Sequence, residues 1–133
     1  MIPIYRAKKI NSDEYVEGFL IKADDYTTNE DEDQIIYFIM HKMENYRTDL
    51  VWDFVCNSRV DPSTLAIHFH DMLDSQGNKI FASLSEDGKG GDKMTDGEYF
   101  GIAKYIDCEF VVEYENVTDG LFNQNFEVIG IQE

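Results

Sequence analysis

Hydrophobic and polar positions alternate along most of this chain with a period of two, the spacing of a β-strand rather than of a helix. Residues 4–9 and 15–22 read as a β-hairpin, with Asn11, Ser12, Asp13 and Glu14 supplying the turn between them. In the second of these strands neither face is purely polar, which suits a strand covered on both sides. Gly18 within it marks a bulge or the close crossing of another strand. Asp24, Asp25, Glu30, Asp31, Glu32 and Asp33 then load one segment with six acids, the pattern of a solvated loop. The run 34–43 is apolar almost throughout. Its length fits a helix or a buried strand, and its Ile, Tyr and Phe content favours strand.

A turn at 44–49 and a strand at 50–57 follow, with Trp52 and Phe54 on one face. Asp61, Pro62, Ser63 and Thr64 form a further turn, in which Pro62 pre-sets its φ and Asp61 bonds the backbone beyond it. Residues 65–69 are short and extended. The stretch 73–92 holds a tight turn from Asp74 to Asn78, a short strand, and a loop with three glycines in four positions, Gly88, Gly90 and Gly91. Residues 98–105 and 122–131 read as strands. The clearest alternation is 106–115: Ile106, Cys108, Phe110, Val112 and Tyr114 on one face, Asp107, Glu109, Val111, Glu113 and Glu115 on the other. Many short strands without a strong helical stretch predict a small all-β barrel or sandwich.

Length and composition fit one folded domain: 133 residues, 43% of them hydrophobic. Charge is the outlier, with 27 acids against 11 bases and a net charge of −16. Such a surface repels phosphate backbones, so direct nucleic-acid binding is disfavoured; it serves solubility or meets a basic partner. Cys56 and Cys108 have neither C-x-x-C nor metal-ligand spacing and read as reduced, buried apolar residues. The first residues lack a charged region followed by an apolar run, and no apolar run approaches a membrane span. The expected location is therefore cytoplasmic.

Three groups of residues carry a family resemblance. The first is Tyr5-Arg6-Ala7-Lys8-Lys9 with Tyr15-Val16-Glu17-Gly18-Phe19. The second is Val60-Asp61-Pro62-Ser63-Thr64-Leu65 with Leu73-Asp74-Ser75-Gln76-Gly77-Asn78-Lys79-Ile80-Phe81 and Gly91-Asp92. The third is Phe126-Glu127-Val128-Ile129-Gly130. Together they resemble the YopX family of phage and prophage proteins. The resemblance implies one β-rich domain, with a β-hairpin-led half over about 1–72 and an SH3-like barrel portion over about 73–133. It also implies a phage origin and an unassigned molecular function, and it brings no catalytic residues. The chain departs from the family pattern at 82–90, which intervene before Gly91-Asp92, and at Lys93-Met94, where two apolar residues are usual.

Candidate chemistry is sparse. His68 and His70 flank Phe69 and would share a strand face beside Asp71, a pair that could ligate zinc with a third donor. No third donor stands at a recognisable spacing, so they read as ordinary surface or half-buried histidines, and neither a metal nor a cofactor is expected. The segment 87–92 lacks both the Walker and the EF-hand pattern and reads as a flexible loop, the best place for a partner contact. The candidate contacts are thus Gly88, Lys89, Gly90 and Gly91, with Asp107, Glu109, Glu113 and Glu115 on the acidic strand face.

The sequence points to a non-enzymatic phage accessory protein that binds another protein and leaves self-association open. One alternative is an acidic mimic of nucleic acid that occupies a host DNA-binding protein. It rests on the i and i+2 spacing of those acids, about 6–7 Å on one face, with no Lys or Arg after Lys104 to neutralise them. The other is a metal-dependent enzyme using His68 and His70.

Overall fold

Strand follows strand from Ile4 onward in a computed structural model that describes residues 3–25, 34–42, 55–84, 89–114, 117–120 and 126–132. They are β1 (Ile4–Lys8), β2 (Tyr15–Asp25), β3 (Gln34–Lys42), β4 (Val55–Val60), β5 (Ala66–His68), β6 (Ala82–Ser83), β7 (Asp92–Thr95), β8 (Phe100–Ile106), β9 (Glu109–Tyr114), β10 (Val117–Gly120) and β11 (Glu127–Ile131). A 3₁₀ turn at Pro62–Thr64 is the only helical element among the described residues. The chain is all-β and barrel-type, as its alternation predicts. No helix of the described residues is long and apolar enough to cross a membrane.

The N-terminal hairpin sets the first layer. β1 pairs with β2 from Tyr5↔Gly18 to Lys8↔Tyr15. β2 then changes partner, and Phe19 to Asp25 pair with β3 instead. The exchange falls at Gly18, where a Cβ would overlap the Met40 carbonyl. Only glycine lets the two backbones approach so closely. β3 is a strand, as its β-branched and aromatic content predicts. Its Tyr37 and Ile39 join Ala7, Val16, Leu20, Val60 and Leu65 in one apolar cluster. β4 lies beyond β3 and curls back to β1: Lys9 bridges Val60, the Ile10 N–H donates to the Arg59 carbonyl (3.0 Å), and the Asp61 N–H donates to the Lys8 carbonyl (2.9 Å).

The main path of the sheet runs β10-β9-β8-β6-β5-β1-β2-β3-β4. β5 pairs with β1 and β6, and β6 meets β8 in parallel at a single pair, Ser83↔Lys104. β7 sits off this path, between β8 and β11. A second cluster fills the curl: Met72, Ile80, Ala82, Met94, Ala103, Val112 and Phe126, flanked by Phe69, Tyr105 and Phe110. Phe69 meets Phe110 edge to face at 5.4 Å, a geometry that the ring quadrupoles favour.

Several expectations are corrected. Residues 106–115 are not one strand: β8 ends at Ile106, and a two-residue turn at Asp107 and Cys108 (φ 51° and 64°) reverses the chain into β9. Ile106 therefore pairs with Glu109 and shares its face, while Tyr105 pairs with Phe110. Asp24 and Asp25 belong to β2 and pair with Ile35 and Gln34, because the β2–β3 pairing extends into the start of the acidic block. The strand expected from Glu98 begins at Phe100, since Asp96 and Tyr99 close a turn (Asp96 N–H to Tyr99 carbonyl, 3.4 Å). Cys108 is exposed and Cys56 half-buried, so neither is the buried apolar residue expected. The expected turn at 44–49, the strand residues Trp52 and Phe54, and the acidic residues 30–33 lie outside the described residues.

Candidate interaction cleft

The glycine-rich loop is pinned along its second half. The Lys89 N–H donates to the Ser63 carbonyl, the Gly90 N–H to the Gln132 carbonyl, and the Gln132 N–H to the Gly91 carbonyl, each at 2.9 Å. Gly90 has φ 96°, and a Cβ there would overlap the Thr64 carbonyl. The sequence thus places glycine where the loop must press against the 3₁₀ turn.

Beneath the loop lies a buried ion pair. Arg6 donates from Nη2 to Asp92 Oδ1 and to the Gly90 carbonyl, both at 2.7 Å. The second Asp92 oxygen accepts from the Phe81 N–H at 2.8 Å. The guanidinium sits 4.5 Å above the Phe81 ring, which His68 meets from 5.3 Å. Burial pushes the Asp92 carboxyl above its ordinary value, against the pull of Arg6 and of the Phe81 N–H. β1 is the hinge of this arrangement: Ala7 faces the first cluster, and Arg6 faces Asp92.

Above the pinned loop, the exposed Lys89 lines a cleft of about 300 Å³ with Lys8, Asp13, Tyr15, Asp61, Ser63 and Thr64. A second hollow of about 400 Å³ shares Lys8, Asp13 and Asp61 and continues along the hairpin tip past Lys9. The Asp61 carboxylate caps the 3₁₀ turn by accepting from the Ser63 N–H (3.0 Å) and hydroxyl (2.8 Å). The Thr64 hydroxyl donates to the Asp61 carbonyl (2.7 Å) and accepts from the Lys8 N–H (2.9 Å), tying turn to strand. Lys8 reaches Asp13 at 3.7 Å and Lys9 reaches Glu14 at 3.1 Å. Lys89 has no ion pair among the described residues. Three of the chain's 11 bases therefore converge on one concave surface of a molecule with net charge −16.

The predicted contacts are thus split by the fold. Lys89 is exposed on the cleft, whereas Gly90 and Gly91 are buried beneath it, because backbone bonds hold that half of the loop. Gly88 and Glu115 lie outside the described residues. Asp107 sits in the turn and not on the face of Glu109 and Glu113. Lys104 donates to Glu113 at 3.0 Å, so the acidic face carries a neutralising base from within its own strand pair. His68 is buried with Nδ1 3.0 Å from the Ile80 carbonyl, and burial lowers its affinity for a proton. His70 stands on an exposed turn past the end of β5, so the two histidines do not share a strand face. Among the described residues no three His, Cys, Asp or Glu side chains are grouped to hold a metal ion.

The other cleft walls were not singled out from sequence. Only the capping pattern at Asp61 to Thr64 signals that this turn is rigid. No protein-family model, curated protein or solved structure matches the chain. Fold and site together define an all-β, barrel-type protein with a lysine-lined cleft on an acidic body.

Proposed function

We propose that the chain is a non-enzymatic protein-binding module, a phage or prophage accessory protein of the YopX kind acting in the bacterial cytoplasm, and that it grips its partner in the cleft beside Lys89. The observation that carries this reading is the Lys89 ammonium, exposed and without an ion pair among the described residues, on a backbone held at Lys89 itself and at Gly90. A preorganised cation at a concave surface favours a partner segment that brings a carboxylate. The residues of the YopX resemblance also meet in space: Arg6 with Asp92, Lys9 with Val60, Asp74 with Val128. A shared framework is what such a resemblance would preserve.

The nucleic-acid mimic has less support, since Glu113 is paired to Lys104 and Asp107 faces elsewhere. A metal-dependent enzyme would need His68 and His70 on one face, and they are apart. The test is capture from a bacterial lysate with three baits: wild type, Lys89→Glu, and the pair Glu109→Gln with Glu113→Gln. The cleft reading expects the captured protein to be weakened at least about tenfold by the charge reversal and unaffected by the Gln pair. Loss with the Gln pair alone would favour mimicry. Capture unchanged by Lys89→Glu would remove the cleft from the interface.

A further inference from the structure

Outside the residues that line the cleft, His41 on β3 and Cys56 on β4 form one registered cross-strand pair. The Cys56 Sγ lies 3.4 Å from His41 Nε2 and 3.8 Å from Nδ1. The Ser58 hydroxyl lies 2.8 Å from the same Nε2. The three side chains share the strand face that carries Ile39 and Val60, which are buried further along. At His41 and Cys56 that face opens, and both residues are half-buried. A sulfur within hydrogen-bond reach of an imidazole and open to solvent is the arrangement that activates a thiol. The sequence hides it, because His41 and Cys56 are brought together only by the register of β3 on β4.

We infer that Cys56 is a nucleophilic thiol with His41 as its base, and that it takes low-molecular-weight disulfides from solution. In the exchange, His41 Nε2 accepts the thiol proton and the Cys56 sulfur attacks one sulfur of the disulfide. A new S–S bond forms to Cys56, the old one breaks, and the departing thiolate takes the proton back from the imidazolium. One mixed disulfide and one free thiol result, with no outside oxidant beyond the incoming disulfide. The Ser58 hydroxyl turns its proton away from Nε2 as the thiol proton arrives, and its oxygen then accepts from the protonated ring.

Cys108 gives the experiment an internal control. It is the exposed thiol, so access alone favours its reaction over that of half-buried Cys56. The folded protein is treated with bis(hydroxyethyl) disulfide, an uncharged reagent indifferent to the acidic surface, and both cysteines are followed by peptide mass spectrometry. Cys56 is expected to react faster than Cys108. In His41→Gln, whose amide keeps a hydrogen bond to Ser58 but is no base, the Cys56 rate should fall at least about tenfold while the Cys108 rate stays fixed. Equal or faster reaction of Cys108 in the wild type overturns the inference, whatever the variant does. So does a Cys56 rate that His41→Gln leaves unchanged.

Discussion

Asp74 shows how much one carboxylate can organise. Its Oδ1 accepts from the backbone N–H of Gln76 (2.9 Å) and Asn78 (2.7 Å). Its Oδ2 accepts from the Asn78 amide (3.2 Å) and from the Val128 N–H on β11 (2.9 Å). Burial pushes this carboxyl up, but the bonds from Val128, Asn78 and Gln76 outweigh it and hold the group below its ordinary value of 3.8. A depressed value stabilises the fold above the unfolded pKa, and that stability drains away as pH falls through the folded one. Asp74→Asn puts an NH₂ donor against other donors and should cost about 1–3 kcal/mol at neutral pH. In urea titrations, the gap between wild type and variant should be widest at neutral pH and narrow once acid protonates Asp74. The turn itself was legible in the sequence, since Asp, Gly and Asn at those offsets act on neighbours. The bond to Val128 was not, because nothing local announces it.

Among the elements, β2 and the β8–β9 hairpin divide what sequence reveals from what it hides. Period-two alternation reports which residues share a face, so Phe110 and Val112 were placed together correctly. It is blind to a reversal of direction. Asp107 and Cys108 take positive φ without the glycine or asparagine that usually marks a two-residue hairpin, so alternation appeared to run through the turn. β7 was hidden for another reason: its first residue is an aspartate, buried only because Arg6 arrives from far away in sequence. Gly18 was legible as a crossing point, and it carries the next prediction. Gly18→Ala forces a methyl onto the Met40 carbonyl at the point where β2 exchanges β1 for β3. The strands must part there, and a loss of about 1–3 kcal/mol or more in chemical unfolding is expected. A variant as stable as wild type would mean that the exchange occurs at another residue.

At the scale of the whole molecule, the Arg6–Asp92 pair joins the first strand to the loop that supports the cleft. Their side chains are 8% and 2% exposed, so each ion depends on the other. Asp92→Ala strands the guanidinium in the interior and should cost about 3–5 kcal/mol, whereas Arg6→Met combined with Asp92→Leu should cost far less than the sum of the two single changes. Equilibrium unfolding of the four proteins of that cycle checks it, and additive losses would show the pair to be uncoupled. The cleft was only partly legible for the same reason: Lys89 stood out in its loop, but Lys8 and Thr64 become its neighbours only once the molecule has closed. The separation of 86 positions from Arg6 to Asp92 also imposes an order on synthesis. At ~5–20 residues per second the ribosome makes the aspartate roughly 4 to 17 seconds after the arginine. Until then Arg6 has only its cross-strand neighbour Glu17 and lacks the buried carboxylate that it meets in the folded chain. The closure that buries Arg6 must wait for it, and the length of that wait is the interval in which a chaperone or a premature partner can seize the open face.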